Sequence, residues 1–189
     1  MPCPISQRVA AASLADAPEV TRARPADRRG ASPALPIGKL CGIVYDTMAK
    51  PHVILDTNVL IAGLRSRRGA TFALLELLAE DAFEISISVP LVLEYEAVAR
   101  RQARELGLTH ADVDAVIDFV CAQAHHRKIF YLWRPFLRDA NDDMVLEVAV
   151  EAQCPFIVTF NTRDFTGVEQ FGIQTLTPGQ FLARLQEDA

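Results

Sequence analysis

Short apolar segments recur along the chain: "VIL" (53–55), "FEISIS" (83–88), "KIFYL" (128–132), "PFIVTF" (155–160) and "GIQTL" (172–176). Segments this short and largely apolar read as strands of a sheet covered on both faces, and most are separated by stretches with helical spacing. Parallel pairing needs such crossover connections. The pattern predicts the α/β class, a central, mainly parallel sheet of four or five strands flanked by helices. Ligand sites in such sheets lie beyond the carboxyl ends of the strands.

The helices are legible too. "NVLIAGL" (58–64) and "ATFALLELLAE" (70–80) carry helical periodicity, and "VPLVLEYEAVARRQAREL" places Pro90 in its first turn, where a missing N–H does no harm. Another helix begins after Thr109, with Asp112 three residues on as a capping signal, and runs to about His125. "NDDMVLEVAVEAQ" (141–153) predicts a further helix with Asn141 as N-cap, and Pro178 stands near the start of the last.

Of the 189 residues half are hydrophobic, enough for the core of one domain. Residues 1–47 hold six of the eleven prolines and no sustained period, so they read as a disordered extension. Met48, just ahead of "AKPHVILD", is the favoured start of translation over a transit peptide, against which Asp16, Glu19, Asp27 and Asp46 count. The folded domain is expected over residues 48–189.

Residues 1–50 carry seven Lys/Arg and four Asp/Glu, which leaves twelve against twenty for 51–189, a net charge of −8. Such a domain does not hold nucleic acid by bulk charge, yet it has carboxylates to gather around a cation. The four cysteines (Cys3, Cys41, Cys121, Cys154) form no C-x-x-C pair and read as reduced thiols of a cytoplasmic protein. No apolar run approaches the roughly 18 residues of a membrane span.

Four segments concentrate the acids. Asp56 directly follows "VIL", so it projects from a strand's carboxyl end or, equally, caps the following helix. Glu94 lies between Leu91 and Val98 on the apolar stripe of its helix, where an ionised carboxylate needs a partner. Asp142 and Asp143 stand in a helical first turn, where the dipole favours negative charge, and the spacing to Leu146 turns at least one toward the buried face. "IVTFNTRDF" ends a strand in Thr159, followed by Asn161 and Asp164, a pattern that a turn explains equally well.

Taken in order, "VILDTNVLIAGL", "SVPLVLEYEAV", "RDANDDMVLEVA" and "IVTFNTRDF" with "LTPGQFL" resemble a PIN-domain ribonuclease, specifically the toxin component of a VapC-like toxin–antitoxin pair. The resemblance spans about residues 52–183. It implies that Asp56, Glu94 and one of Asp142 or Asp143 bind Mg²⁺ or Mn²⁺; Asp143 is preferred because the family's third acid stands three residues before a helical Leu or Ile. Asp164 is the implied fourth catalytic acid, with Asn58, Asp142, Thr159 and Asn161 as further site residues. Asn161 departs from the family pattern, which often has Asp there.

Hard oxygen ligands suit Mg²⁺, and a cation relieves the repulsion of packed carboxylates. The resemblance implies in-line hydrolysis of an RNA phosphodiester, a cognate antitoxin and a homodimer. Asp56 is then the ligand, while Thr57 and Asn58 cap and orient the helix. "RSRRGATF" places Arg65, Arg67 and Arg68 as RNA-binding candidates beside the cleft, and Arg100, Arg101, Arg104, Arg134, Arg138 and Arg163 as a wider basic rim.

Other uses of a strand-end Asp fit less well. An aspartyl phosphotransferase of the D-x-D type lacks its second acid, since position 58 is Asn, and a receiver domain lacks its strand-end lysine. The non-enzymatic alternative is a catalytically weak PIN-fold module that binds RNA or protein.

Overall fold

The structure, a computed structural model, describes residues 50–187; the expectations for residues 1–47 lie outside them. Five strands form one all-parallel sheet: β1 (His52–Leu55), β2 (Glu84–Ile87), β3 (Ala124–His126), β4 (Phe156–Val158) and β5 (Gln174–Leu176), in the order β3-β2-β1-β4-β5. Six helices connect or follow them among the described residues: α1 (Thr57–Arg65), α2 (Ala70–Ala79), α3 (Val89–Leu106), α4 (His110–Gln123), α5 (Ala140–Glu151) and α6 (Pro178–Glu187). None of these helices is long and apolar enough to cross a membrane. The expected α/β architecture is the observed one.

The apolar strands are buried on both faces. Val53 pairs with Ile85 and Phe156, and Leu55 with Val158, so these side chains share one face, while Ile54 and Ile157 share the other. All seven are at most 3 % exposed. Phe181 of α6 docks edge-to-face on Phe83 with ring centroids 5.1 Å apart, closing the core on one side.

Strand order sets the position of any ligand crevice. The chain winds outward from β1 to β2 and β3, then returns to the other side of β1 for β4 and β5. The winding reverses between β1 and β4, and at such a point the connections leaving the two carboxyl ends diverge and open a cleft. Asp56 follows β1 there, and Thr159 follows β4.

Two expectations are corrected. The third strand is Ala124–His126, not 128–132, and α4 stops at Gln123 to make room for it. Its partner is exhausted: β2 ends at Ile87, whose carbonyl takes a last bond from Arg127 N at 2.8 Å, and the chain then turns into α3. "KIFYL", with nothing left to pair with, becomes an irregular strap on which Phe130, Tyr131 and Leu132 are exposed. The N-cap of α5 is Asp139, whose carboxylate accepts from Asn141 N at 2.9 Å, and not Asn141. The Thr109 capping box with Asp112 and the N-terminal Pro178 stand as read.

Candidate functional site

Asp56 occupies the N-cap position of α1, but its side chain makes no capping bond and Thr57 and Asn58 do not cap either. Each has a different task. Thr159 Oγ1 donates to Asp56 Oδ2 at 2.6 Å, and Asn58 Nδ2 donates to the same oxygen at 2.6 Å. Thr57 Oγ1 donates to Glu94 Oε1 at 3.2 Å, tying the first turn of α1 to α3. These polar residues aim carboxylates.

Thr159 is fully buried and has its hydroxyl saturated: it donates to Asp56 and accepts from Asn58 Nδ2 at 3.2 Å and Asn161 N at 2.9 Å. One side chain at the end of β4 thus locks the carboxylate at the end of β1. The sequence places Thr159 among the site residues without indicating this role.

A cleft of about 340 Å³ opens at this point, lined by Asp56, Glu94, Asp139, Asp142, Asn58 and Asn161 among others. Asp142 is on its wall and Asp143 is not. Consecutive helical residues point about 100° apart, so the two acids cannot share a direction. Asp143 is 1 % exposed and accepts from Phe136 N at 3.3 Å and Leu137 N at 2.8 Å, which anchors the strap before α5. The structure therefore turns Asp143 toward the N–H groups of the strap and sets Asp142 on the cleft wall with Asp56 and Glu94.

Asp164 does not line the cleft, although its charge is felt at Asp142. Arg65 lines it and donates to Gln102 Oε1 at 2.7 Å, whereas Arg67 and Arg68 lie off it. Two arginines expected on the rim are engaged elsewhere: Arg100 pairs with Glu96 and Asp114, and Arg134 with Glu147. Asp139 is a cleft residue that sequence reasoning missed; it reads there only as one more acid ahead of a helix.

The acids perturb one another. Burial pushes Asp56 up from the ordinary carboxylate value, against the pull, first of all, of the Thr159 hydroxyl. Burial likewise raises Glu94, helped by the charges of Asp56 and Asp139. Asp142 is pushed up to about 6, first by burial and then by Asp56, Asp139, Asp164 and Glu94.

A family model described as "PIN domain" matches residues 52–163, more than half of the chain. The chain belongs to the PIN-domain family. The match includes Asp56, Glu94, Asp142, Thr159 and Asn161 and stops one residue before Asp164. Two solved structures resemble this PIN domain. VapBC2 from Rickettsia felis, bound to a DNA fragment from its promoter, is 16 % identical with a TM-score of 0.49, covering 67 % of this chain and 98 % of that one. VapBC-1 from nontypeable Haemophilus influenzae is 15 % identical with a TM-score of 0.47, covering 68 % and 98 %. No curated protein matches by sequence.

The donor set of this PIN domain suits a hard divalent cation. Glu94 Oε2 is buried with no hydrogen-bond partner, an anionic oxygen left for something else to satisfy. Among the described residues, no three His, Cys, Asp or Glu side chains are already grouped closely enough to hold a metal.

The raised Asp142 value sets a pH dependence for the metal-free PIN domain. A carboxylate whose folded pKa is raised holds its proton more tightly folded than unfolded; the linked stability is full below about pH 4 and lost as pH rises through about 6. In chelator, the parent's melting temperature minus that of Asp142→Asn therefore falls between these two values. A difference that rises with pH contradicts the assignment.

Proposed function

We propose that this PIN domain is a divalent-metal-dependent ribonuclease that hydrolyses RNA phosphodiester bonds, and that it serves as the toxin of a toxin–antitoxin pair. One observation carries the nuclease reading: Asp56, Glu94 and Asp142 line a single cleft at the reversal between β1 and β4, with a buried Glu94 oxygen unpartnered. The toxin role, an antitoxin covering the cleft and a homodimer rest on the resemblance of the four sequence segments.

Asp56, Glu94 and Asp142 would hold Mg²⁺ or Mn²⁺, with Asp139 and Asn161 beside them on the wall. The ion, when bound, supplies Lewis-acid stabilisation of charge on the phosphate and activation of a water. The chain's own residues orient the reaction. Thr159 and Asn58 fix Asp56 Oδ2, and Thr57 fixes Glu94 Oε1, so the other oxygen of each carboxylate is directed without rotamer search. Arg65, held by Gln102, supplies a cation on the cleft wall for a phosphate oxygen. No Ser, Cys or His nucleophile is required.

The test is cleavage of mixed cellular RNA by the purified protein in Mg²⁺, in Mn²⁺ and in chelator, beside Asp56→Asn. Metal-dependent cutting lost in the variant supports the reading. Cutting insensitive to both means a contaminant, and no cutting in any sample favours the binding module, which Asn161 in place of an acid also favours.

Thr159→Val checks the positioning. It keeps the side chain's shape but removes the donor to Asp56 and the one oxygen that accepts from both Asn58 and Asn161. Metal affinity, read by titration calorimetry, is expected to fall about 10–100-fold, the range for losing a group that orients a ligand. Unchanged affinity would mean that Asp56 is not the ligand that Thr159 directs.

A further inference from the structure

Phe160 stands between two site residues. Thr159, before it, is fully buried and bonded to Asp56; Asn161, after it, lines the cleft. Phe160 itself is 51 % exposed. The other large apolar side chains of this stretch, Phe156, Ile157, Val158, Phe165 and Val168, are all buried.

Lone exposed aromatics are common and by themselves signify little. This one is built into the site. Its backbone N–H donates to Asn58 Oδ1 at 3.3 Å, while Asn58 Nδ2 donates to Asp56 Oδ2 and Thr159 Oγ1. Asn58 therefore fixes the position of the Phe160 backbone relative to the carboxylate, and Asn161 N, bonded to Thr159 Oγ1, holds it from the other side. Phe130 and Tyr131 are also exposed, but they belong to the strap that is anchored on Glu147.

We propose that Phe160 is a stacking platform for one unpaired base of the RNA whose backbone crosses the cleft, with Asn58 as the residue that positions platform and carboxylate together. The proposal rests on the nuclease reading and names its substrate as single-stranded RNA. An acidic cleft gains little from attracting a polyanion by charge. Stacking on an aromatic ring supplies affinity that does not depend on charge, is tolerant of base identity and is denied to a base already stacked in a duplex. Arg65 on the same cleft provides the phosphate contact.

The experiment measures binding of a fluorescein-labelled single-stranded ten-residue oligouridine, and of an equally labelled blunt GC-rich RNA duplex of the same length, by fluorescence anisotropy in Mg²⁺. The full chain carries Asp142→Asn so that the probe survives. In that background Phe160→Ala is expected to weaken single-strand binding about tenfold, within the range for losing one stacked base. Phe160→Tyr restores it, Phe160→Leu does not, and the melting temperature is unchanged throughout. Phe160→Trp reports contact directly: its fluorescence, after subtraction of the parent's Trp133 signal, is quenched by the single strand.

Binding unchanged in Phe160→Ala overturns the platform and leaves the nuclease reading standing. An equal loss for duplex and single strand overturns stacking in favour of a structural effect. Absence of binding in every variant, beside metal-dependent cleavage of cellular RNA by the parent, overturns a sequence-tolerant platform; if that cleavage is also absent, the nuclease reading falls with it.

Discussion

Asp142→Asn is expected to reduce metal-dependent RNA cleavage by at least about 100-fold, beyond the loss for a residue that only orients a ligand, while Asp143→Asn leaves the rate near the parent's. The two substitutions are chemically identical and one residue apart. What separates them is direction: Asp142 faces Asp56 and Glu94 across the cleft, and Asp143 faces the N–H groups of Phe136 and Leu137. An Asn at 143 still offers an acceptor oxygen but loses the charge-assisted part of both bonds, so its defect is in stability, about 1–2 kcal/mol. Initial rates together with urea unfolding of both variants separate the cases. An inactive Asp143→Asn beside an active Asp142→Asn would restore the assignment preferred from sequence.

The second large effect is on stability and involves the strap. Glu147 is 2 % exposed and accepts from Arg134 Nε at 2.9 Å, from Arg134 Nη2 at 2.8 Å and from Trp133 N at 3.2 Å. The Arg134 side chain is 36 % exposed. Deleting either partner is therefore not symmetrical. Arg134→Ala abandons a carboxylate in the core and should destabilise the protein by about 3 kcal/mol, the lower end for an unpaired buried charge. Glu147→Met leaves an arginine that reaches water. The double variant should recover most of the loss, because an apolar side chain of similar size needs no counter-ion there. Additive losses in denaturant unfolding would mean that the pair is not coupled. Together with Asp143, this pair pins the strap that leads Asp139 and Asp142 to the cleft.

Much of this was readable beforehand, and for identifiable reasons. A short, largely apolar segment bounded by turn or helix signals can be recognised locally, so β1, β2, β4 and β5 and the capping box at Thr109 follow from spacing. Asp56 and Glu94 were legible because each interrupts an apolar pattern with a charge. "KIFYL" misled because strand propensity describes a side-chain surface, whereas a strand exists only if a neighbour offers its backbone, and β2 had ended. Glu147 left a faint signal, a single acid inside the apolar run "MVLEVAV", but nothing in it named Arg134 as partner.

The sequence by itself determined the class of fold, the order of strands and helices and which acids sit where a strand or an apolar helical face would present them. All of that is set by periodicities of two and 3.6 residues, which act over one or two turns of chain. Only the tertiary structure decided that Asp142 and not Asp143 enters the cleft, that Thr159 and Asn58 hold Asp56 rather than cap a helix, and that Phe160 stays half-exposed between Thr159 and Asn161. These are relations between residues as much as 103 positions apart, created when β4 returns to the far side of β1, and no local pattern encodes the direction in which a side chain will find its partner.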